Sequence, residues 1–298
     1  MVGDDRSGTT VIGTVLGQLP SATFVGEVSQ VWRAFTTADW RCSCGEPLGT
    51  CHFWRNVRAT SRVDADFDVD SLRAVTEQLR LRPRALARLV RPTLDPSFAI
   101  YAAALARIYE AIAQTAGATL IVDSSKSAPE LLLTARTLEL DLRVLHVVRD
   151  PRAVAHSRSR RIPAMQPGSQ WMASTGPLAS SLRWAVRNTL IEAALTRGSA
   201  ARHRMRYEDF AADPARALRS VSVDRDLSAV LDELAETGGR LAIGPRHALD
   251  GNTRVLRRAT SIEIGPDEEW RAAMSLSRRL AASVPALPLM FRYCYRTV

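Results

Sequence analysis

Arg6-Ser7-Gly8-Thr9-Thr10 decides how the rest of this chain is read. A stub of strand, Met1-Val2-Gly3, precedes it, and an apolar run of helical character from Val11 to Leu19 follows it. A glycine in a strand-to-helix turn lets the backbone approach a bound group closely. The first N–H groups of the helix have no partner inside it, and the dipole there favours an anion. Ser7, Thr9 and Thr10 add hydroxyl donors, and Arg6 adds a planar, permanently charged fork. The stretch therefore reads as a phosphate or sulfate cradle. It is not the Walker A sequence, because no Gly-Lys-Ser/Thr follows. By itself, a capped helix start would look the same.

Further along, strands and helices alternate. Ala22 to Gly26 reads as a second strand with Glu27 just beyond its end, and Val28 to Phe35 as a helix. Thr119 to Val122 and Leu142 to Val148 are continuous apolar strands, suited to a sheet covered on both faces. The first runs into Asp123-Ser124-Ser125-Lys126 and then a helix from Pro129 to Leu140. The second runs into Arg149-Asp150-Pro151 and then a helix from Ala153 to Arg160. This alternation predicts an α/β fold, a P-loop-like parallel sheet flanked by helices. Ligands on such sheets bind at the carboxyl ends of the strands. Arg6 to Thr10, Glu27, Asp123 to Lys126 and Arg149 all sit at such ends, and surface decoration would have no reason to gather on one edge.

The remaining segments are read as additions to that core. Residues of about 55–118 form a helical insertion, in which Asp70 to Val90 is Arg-rich and broken by Pro83. Its arginines are either a solvated face or a collar that attracts an anionic acceptor. Ser97 to Ala116 is periodic, with Ile100, Ala104, Ile108 and Ile112 expected on one face and Gly117 ending the helix. Residues of about 161–180, rich in Pro and Gly, read as a loop or lid. Ser180 to Leu195 is helical, His203 to Tyr207 a strand, and Ala215 to Glu236 helical in pieces. Gly238 to Ala259 reads as irregular, Asp267 to Ser283 as one helix, and Pro285 to Tyr295 as an apolar tail that packs down. No repeat or linker divides the chain, so residues 1–298 are expected to form a single domain.

Composition narrows the partners. The 298 residues are 46% apolar and 24% charged, ordinary values for a globular protein with a full core. No apolar run reaches membrane-spanning length and no secretory leader precedes the first motif, so the cytoplasm is the expected location. The net charge of +9 suits an anionic ligand. Zinc-finger spacing and RNA-binding glycine–aromatic motifs are missing, so nucleic acid is not an expected partner. Of the 40 basic side chains only Lys126 is lysine, which suggests a position where a compact ammonium is required. Cys42, Cys44, Cys51 and His52 cluster in a loop from Trp40 to Trp54. Free thiols in an ordered loop are the reading taken, with zinc or a disulfide as alternatives, since the spacing matches no standard finger.

With both anion motifs in view, the chain resembles the sulfotransferases that use 3′-phosphoadenosine 5′-phosphosulfate (PAPS). The resemblance rests on Arg6 to Thr10 and on the strand-Arg-x7-Ser pattern from Arg149 to Ser157. It implies that the first loop holds the 5′-phosphosulfate and that Arg149 and Ser157 hold the 3′-phosphate. Phe24-Val25-Gly26-Glu27 is similar to the segment carrying the catalytic glutamate of tyrosylprotein sulfotransferases. Arg206-Tyr207-Glu208-Asp209-Phe210 resembles the family's tyrosine-bearing strand end beside the nucleotide. Cys42 to Trp54, Gly251 to Arg254 and the aromatic tail look like features of bacterial members. Two features depart from the pattern: the first strand is very short, and Asp4 and Asp5 place negative charge beside the cradle.

The expected chemistry follows phosphoryl transfer, in which the protein positions groups and neutralises charge. Glu27 is the expected general base. Arg6 and Lys126 are expected to stabilise the leaving 3′,5′-adenosine bisphosphate, with Tyr207 and Arg254 as further nucleotide contacts. His52, His156 and His203 are weaker candidates for the base. No metal is expected in the chemistry. The acceptor is expected to be a small-molecule hydroxyl on a natural product, sugar or lipid, with a protein tyrosine as an alternative. The rival readings are an ATP-dependent small-molecule kinase, in which Asp123 would hold magnesium, and a non-catalytic nucleotide-binding protein.

Overall fold

The computed structural model describes all residues except 81–82, 161, 165, 167–173, 198–199, 222–226, 257–259 and 297–298, and the side chain of Arg254. The first strand, β1, spans Val2–Gly3 and leads through the Asp4 to Gly8 turn into helix α1 (Thr9–Leu16). Strand β2 (Ala22–Gly26) is followed by a short 3-10 turn over Val28–Gln30 and by α2 (Val31–Thr36). The helical insertion then supplies α3 (His52–Ser61), α4 (Val63–Asp66), α5 (Val69–Arg80), α6 (Pro83–Leu89) and α7 (Pro96–Ala116). After it come β3 (Leu120–Asp123), α8 (Ala128–Thr137), β4 (Arg143–Val148), α9 (Pro151–Ser159), α10 (Pro177–Leu195) and β5 (Ala201–Arg206).

Every pairing among these five strands is parallel. β4 lies between β1 and β5, with Val2 opposite His146 and Val148 opposite Arg206, while β2 pairs with β3. The two groups meet at the amino group of Met1, which bonds to the Asp123 carbonyl at 2.5 Å. A groove of about 560 Å³ lies beside Met1, lined by residues of β3 and by the start of β4.

Alternation along the strands feeds two cores. Val25, Ile121 and Val144 pack into the core that includes the helical insertion, whereas Phe24, Val122 and Leu145 pack with α1 and the later helices. Helices therefore cover both faces, as the apolar strands predict. The longest of them, α7, is started by Asp95, whose carboxylate accepts from the Ser97 N–H, and is ended by Gly117 at φ 59°. Its buried stripe is Phe98, Tyr101, Leu105, Ile108 and Ile112. Burying each such side chain contributes about 1.5–3 kcal/mol. Ile100 does not belong to that stripe. It is 54% exposed, because at 3.6 residues per turn it falls about 140° around the helix from Leu105.

The C-terminal third is more ordered than its sequence suggests. After α11 (Tyr207–Ala212), α12 (Pro214–Ser220) and α13 (Ser228–Glu236), the stretch read as irregular contains β6 (Arg240–Ala242) and α14 (Thr253–Leu256). β6 pairs antiparallel with β7 (Ser261–Glu263). The single helix expected over Asp267 to Ser283 is two, α15 (Glu269–Ala273) and α16 (Leu276–Ser283), because Ser275 is extended at ψ 157°. The break lets Trp270 pack beside Ala153 and Ala155 of α9. The tail, including α17 (Leu287–Arg292), packs down through Met290, Tyr293 and Tyr295.

Candidate active site

The carboxyl ends of the strands open into one cleft of about 870 Å³. Arg6, Gly8, Thr9, Thr10, Glu27, Lys126, Arg149, Ser157 and Tyr207 all line it. The turn after β1 is built for close approach. Gly8 caps α1 at φ 92°, and a Cβ there would lie 2.1 Å from the Tyr207 ring. Any larger residue would displace that ring and strain the backbone. Arg6 itself adopts φ 71°, a costly conformation for a side-chain-bearing residue.

Ser7 is the member of the loop that does not face the cleft. Its hydroxyl donates to the Asp4 carbonyl at 2.7 Å and its N–H to the same oxygen at 3.2 Å. Both donors are spent closing the turn, so Ser7 shapes the cradle. The Thr10 hydroxyl oxygen accepts from the Asn252 N–H at 3.2 Å, tying the cradle to the chain before α14.

Asp4 and Asp5 are neutralised by arginines distant in sequence. Arg158 donates to both Asp4 oxygens at 2.8 Å, and Arg187 reaches Asp4 at 3.1 Å and Asp5 at 2.6 Å. Arg183 adds a third guanidinium, 2.6 Å from Asp5. Burial works to raise the Asp5 carboxyl. Arg187, Lys126, Arg183 and Arg158 outweigh it and hold the group well below the usual carboxylate range. Three cations against two carboxylates leave the floor of the cradle positive.

Glu27 and Lys126 form a partly buried ion pair, joining the ends of β2 and β3. Burial opposes the Lys126 charge, but Glu27, Asp5 and Asp250 more than offset it and raise the ammonium pKa. Asp250 was not among the residues singled out from the sequence. Burial, and then repulsion from Glu27, push its carboxyl up to about 7. The folded protein thus holds this proton more tightly than the unfolded chain, whose aspartates titrate near 3.9. The stability this contributes is complete below about pH 4 and is lost as pH rises through about 7. Asp250→Asn should therefore raise the melting temperature at pH 8 by several degrees and leave it nearly unchanged at pH 4, measured by thermal unfolding at both values.

At the end of β4, Arg149 is buried with its guanidinium 4.7 Å from the Tyr207 ring centroid. One Arg149 nitrogen donates to the Arg6 carbonyl at 3.0 Å and another to Asp267 at 2.8 Å. Asp267, which the sequence did not flag, is also 3.4 Å from Arg160. Burial tends to raise its carboxyl, but Arg149 and Arg160 hold it below the usual value. Ser157 lies two turns along α9, buried on the same wall. Arg254 is in α14, and its side chain lies outside the described residues.

The far wall comes from the 3-10 turn (Ser29, Gln30), from α2 and the loop after it (Arg33, Trp40) and from α5 of the insertion (Thr76, Arg80). Arg33 and Arg80 both donate to Gln30 Oε1, at 3.4 and 3.1 Å. Among the described arginines of Asp70 to Val90, Arg80 lines the cleft, while Arg73 and Arg88 pair with Asp70 and Asp95. From the segment of about 161–180, Ile162, Ala164, Gln166 and Thr175 also line the cleft. Gln166 donates to the Leu249 carbonyl at 2.7 Å.

His52, His156 and His203 are absent from the cleft lining. Asp123, the carboxylate a kinase would need, is engaged elsewhere. One oxygen accepts from Val28 N and from Ser125 N and Oγ, the other from the Tyr109 hydroxyl at 2.7 Å.

No curated protein matches the chain. The model of the sulfotransferase family matches residues 1–223, from β1 to just beyond α12, and so includes both motifs and the Glu27–Lys126 pair. That match, over most of a mixed α/β chain whose parallel sheet is flanked by helices, establishes that the chain belongs to the sulfotransferase family.

Proposed function

We propose that the chain transfers the sulfuryl group of PAPS to a hydroxyl of a small-molecule acceptor. The observation that carries this reading is that the helix start at Gly8 to Thr10 and the Arg149 and Ser157 side chains, two separate groups suited to anions, line one cleft with the Glu27–Lys126 pair. The unpartnered amides of a helix start suit a phosphosulfate group, and Gly8 lets the Tyr207 ring close against that turn. Arg6, Thr9 and Thr10 would hold that group, with Ser7 fixing the turn beneath it. Arg149 and Ser157 would hold the 3′-phosphate, Arg149 releasing or sharing Asp267, and Tyr207 would border the nucleotide. Arg254 is proposed as a further contact.

In the transfer, the acceptor oxygen forms a bond to sulfur as the bond from sulfur to the 5′-phosphate oxygen breaks. The acceptor proton passes to Glu27, and 3′,5′-adenosine bisphosphate leaves. Lys126, paired with Glu27 before the donor enters, is within the same cleft to neutralise the charge growing on the leaving oxygen. Fixed cations would thus do what magnesium does in kinases. Gln30, Arg33, Trp40 and Arg80 form the wall on which a hydroxylated natural product, sugar or lipid headgroup would rest. We read residues 1–298 as one catalytic domain, because the insertion and the sheet share a core. We place the protein in the cytoplasm; no described helix is long and apolar enough to cross a membrane.

Thermal shift separates this function from ATP-dependent transfer. 3′,5′-Adenosine bisphosphate should raise the melting temperature, and ATP with magnesium should do so much less. Stabilisation by ATP–magnesium alone would overturn the proposal in favour of a kinase.

A further inference from the structure

Behind the cleft wall, the loop of Trp40 to Trp54 meets the chain before α14. Cys42, Cys44, Cys51 and His247 place their donor atoms within 4.8 Å of one another, three from one loop and the fourth from far along the sequence. The Cys42 and Cys51 sulfurs lie 3.6 and 3.3 Å from His247 Nδ1, and the Cys44 and Cys51 sulfurs lie 3.8 Å apart. A tetrahedral zinc ion with Zn–S near 2.3 Å and Zn–N near 2.05 Å has edges of about 3.8 Å between sulfurs and about 3.5 Å from sulfur to nitrogen. Three of the six edges fit that figure, and the other three lie within 4.8 Å, so closing onto an ion asks for shifts of about 1 Å or less.

The competing states fit less well. A disulfide would bring two sulfurs to about 2.05 Å, far below the 3.8 Å between Cys44 and Cys51. Without a metal, Nδ1 of His247 offers either one lone pair or one hydrogen, so it can pair well with only one of the two sulfurs that lie 3.3 and 3.6 Å away. A divalent cation satisfies all four donors at once.

The surroundings hold these donors in place. Cys42 and Cys44 sit on a tight knuckle in which Cys42 N donates to the Glu46 carbonyl and Gly45 N to the Cys42 carbonyl, with Gly45 at φ 97°. Cys51 caps the start of α3, where the helix dipole favours a thiolate. The His247 ring stacks on Phe53 at 4.9 Å with 5° between planes, and Trp54 Nε1 donates to the His247 carbonyl at 2.8 Å. Ser43 straps the same segment, its hydroxyl donating to the Arg246 carbonyl and accepting from Ala248 N.

We propose that Cys42, Cys44, Cys51 and His247 bind one zinc ion in a closed, four-ligand structural site. Zinc displaces the three thiol protons and leaves no open position for a substrate. None of the four residues lines the catalytic cleft. The site instead fixes a wall of that cleft. From His247 the chain runs through Leu249, whose N–H donates to the Val25 carbonyl, to Asp250, Gly251 and Asn252 in the cleft. The proposal is independent of the donor and acceptor assigned above.

The test is metal analysis of chain purified without chelators or metal-affinity resin from zinc-supplied cells. About one zinc per chain is expected, released by a mercurial reagent, and cobalt exchanged into the site should give the intense thiolate-to-metal band of a tetrahedral centre. Loaded protein should expose one thiol to Ellman's reagent, Cys294, and reduced, metal-stripped protein four. Cys294→Ser should keep the zinc, whereas Cys44→Ser and His247→Ala should lose most of it. Folded, reduced chain without zinc and without a cobalt band would overturn the proposal. So would zinc kept at full stoichiometry in Cys44→Ser and His247→Ala.

Discussion

Glu27→Gln should lower kcat by about 10²–10⁴-fold, the range for loss of a positioned general base. The affinity for 3′,5′-adenosine bisphosphate should change by less than about threefold, because the glutamine keeps the shape and removes only the basic oxygen. Glu27 owes its place to the end of β2, where Gly26 at φ 73° brings the chain against the Asp250 carbonyl. Its ion pair with Lys126 closes the gap between two strand ends. Steady-state turnover with calorimetric binding of the bisphosphate reads both quantities. Unchanged kcat would move the base elsewhere in the cleft, and Asp250 would be the next residue to test. A collapse of nucleotide binding would mean that the pair is structural.

Arg149→Gln should cost the 3′-phosphate its main cation. Charge-assisted hydrogen bonds contribute about 1.5–3 kcal/mol each, so affinity for 3′,5′-adenosine bisphosphate should fall by about 10²-fold. Affinity for adenosine 5′-phosphate, which lacks the 3′ group, should fall much less. The difference between the two ligands is the readout, since general damage to the fold would weaken both. Asp267 adds a sign. It holds the same guanidinium at 2.8 Å, so Asp267→Asn should tighten binding of the bisphosphate, and a loss of affinity there would contradict the exchange of carboxylate for phosphate.

The strand ends were legible because apolar strands and the polar residue after each are local signals. Glycines, prolines and a Ser/Thr-rich turn marked the cradle and the starts of α8 and α9. What escaped depends on long-range pairing. Asp4 and Asp5, adverse beside an anion site when read alone, meet Arg158, Arg183 and Arg187 across the fold. Asp250 and His247 sit in a stretch with little periodicity and Asp267 reads as a helix start, and only the tertiary fold sets them beside Glu27, the cysteines and Arg149. The sequence counts Ser7 among the cradle donors, whereas its side-chain direction follows from the turn's own hydrogen bonds, which composition does not reveal. The Arg-rich stretch of the insertion looked uniform, yet helix phase and local ion pairs leave Arg80 facing the cleft.

A crystal structure with 3′,5′-adenosine bisphosphate bound would test the core of this account most directly. The 5′-phosphate should lie on the amides of Gly8 to Thr10, with the 3′-phosphate against Arg149 and Ser157. A nucleotide bound with its phosphates away from these two ends, or gripped at only one of them, would contradict it.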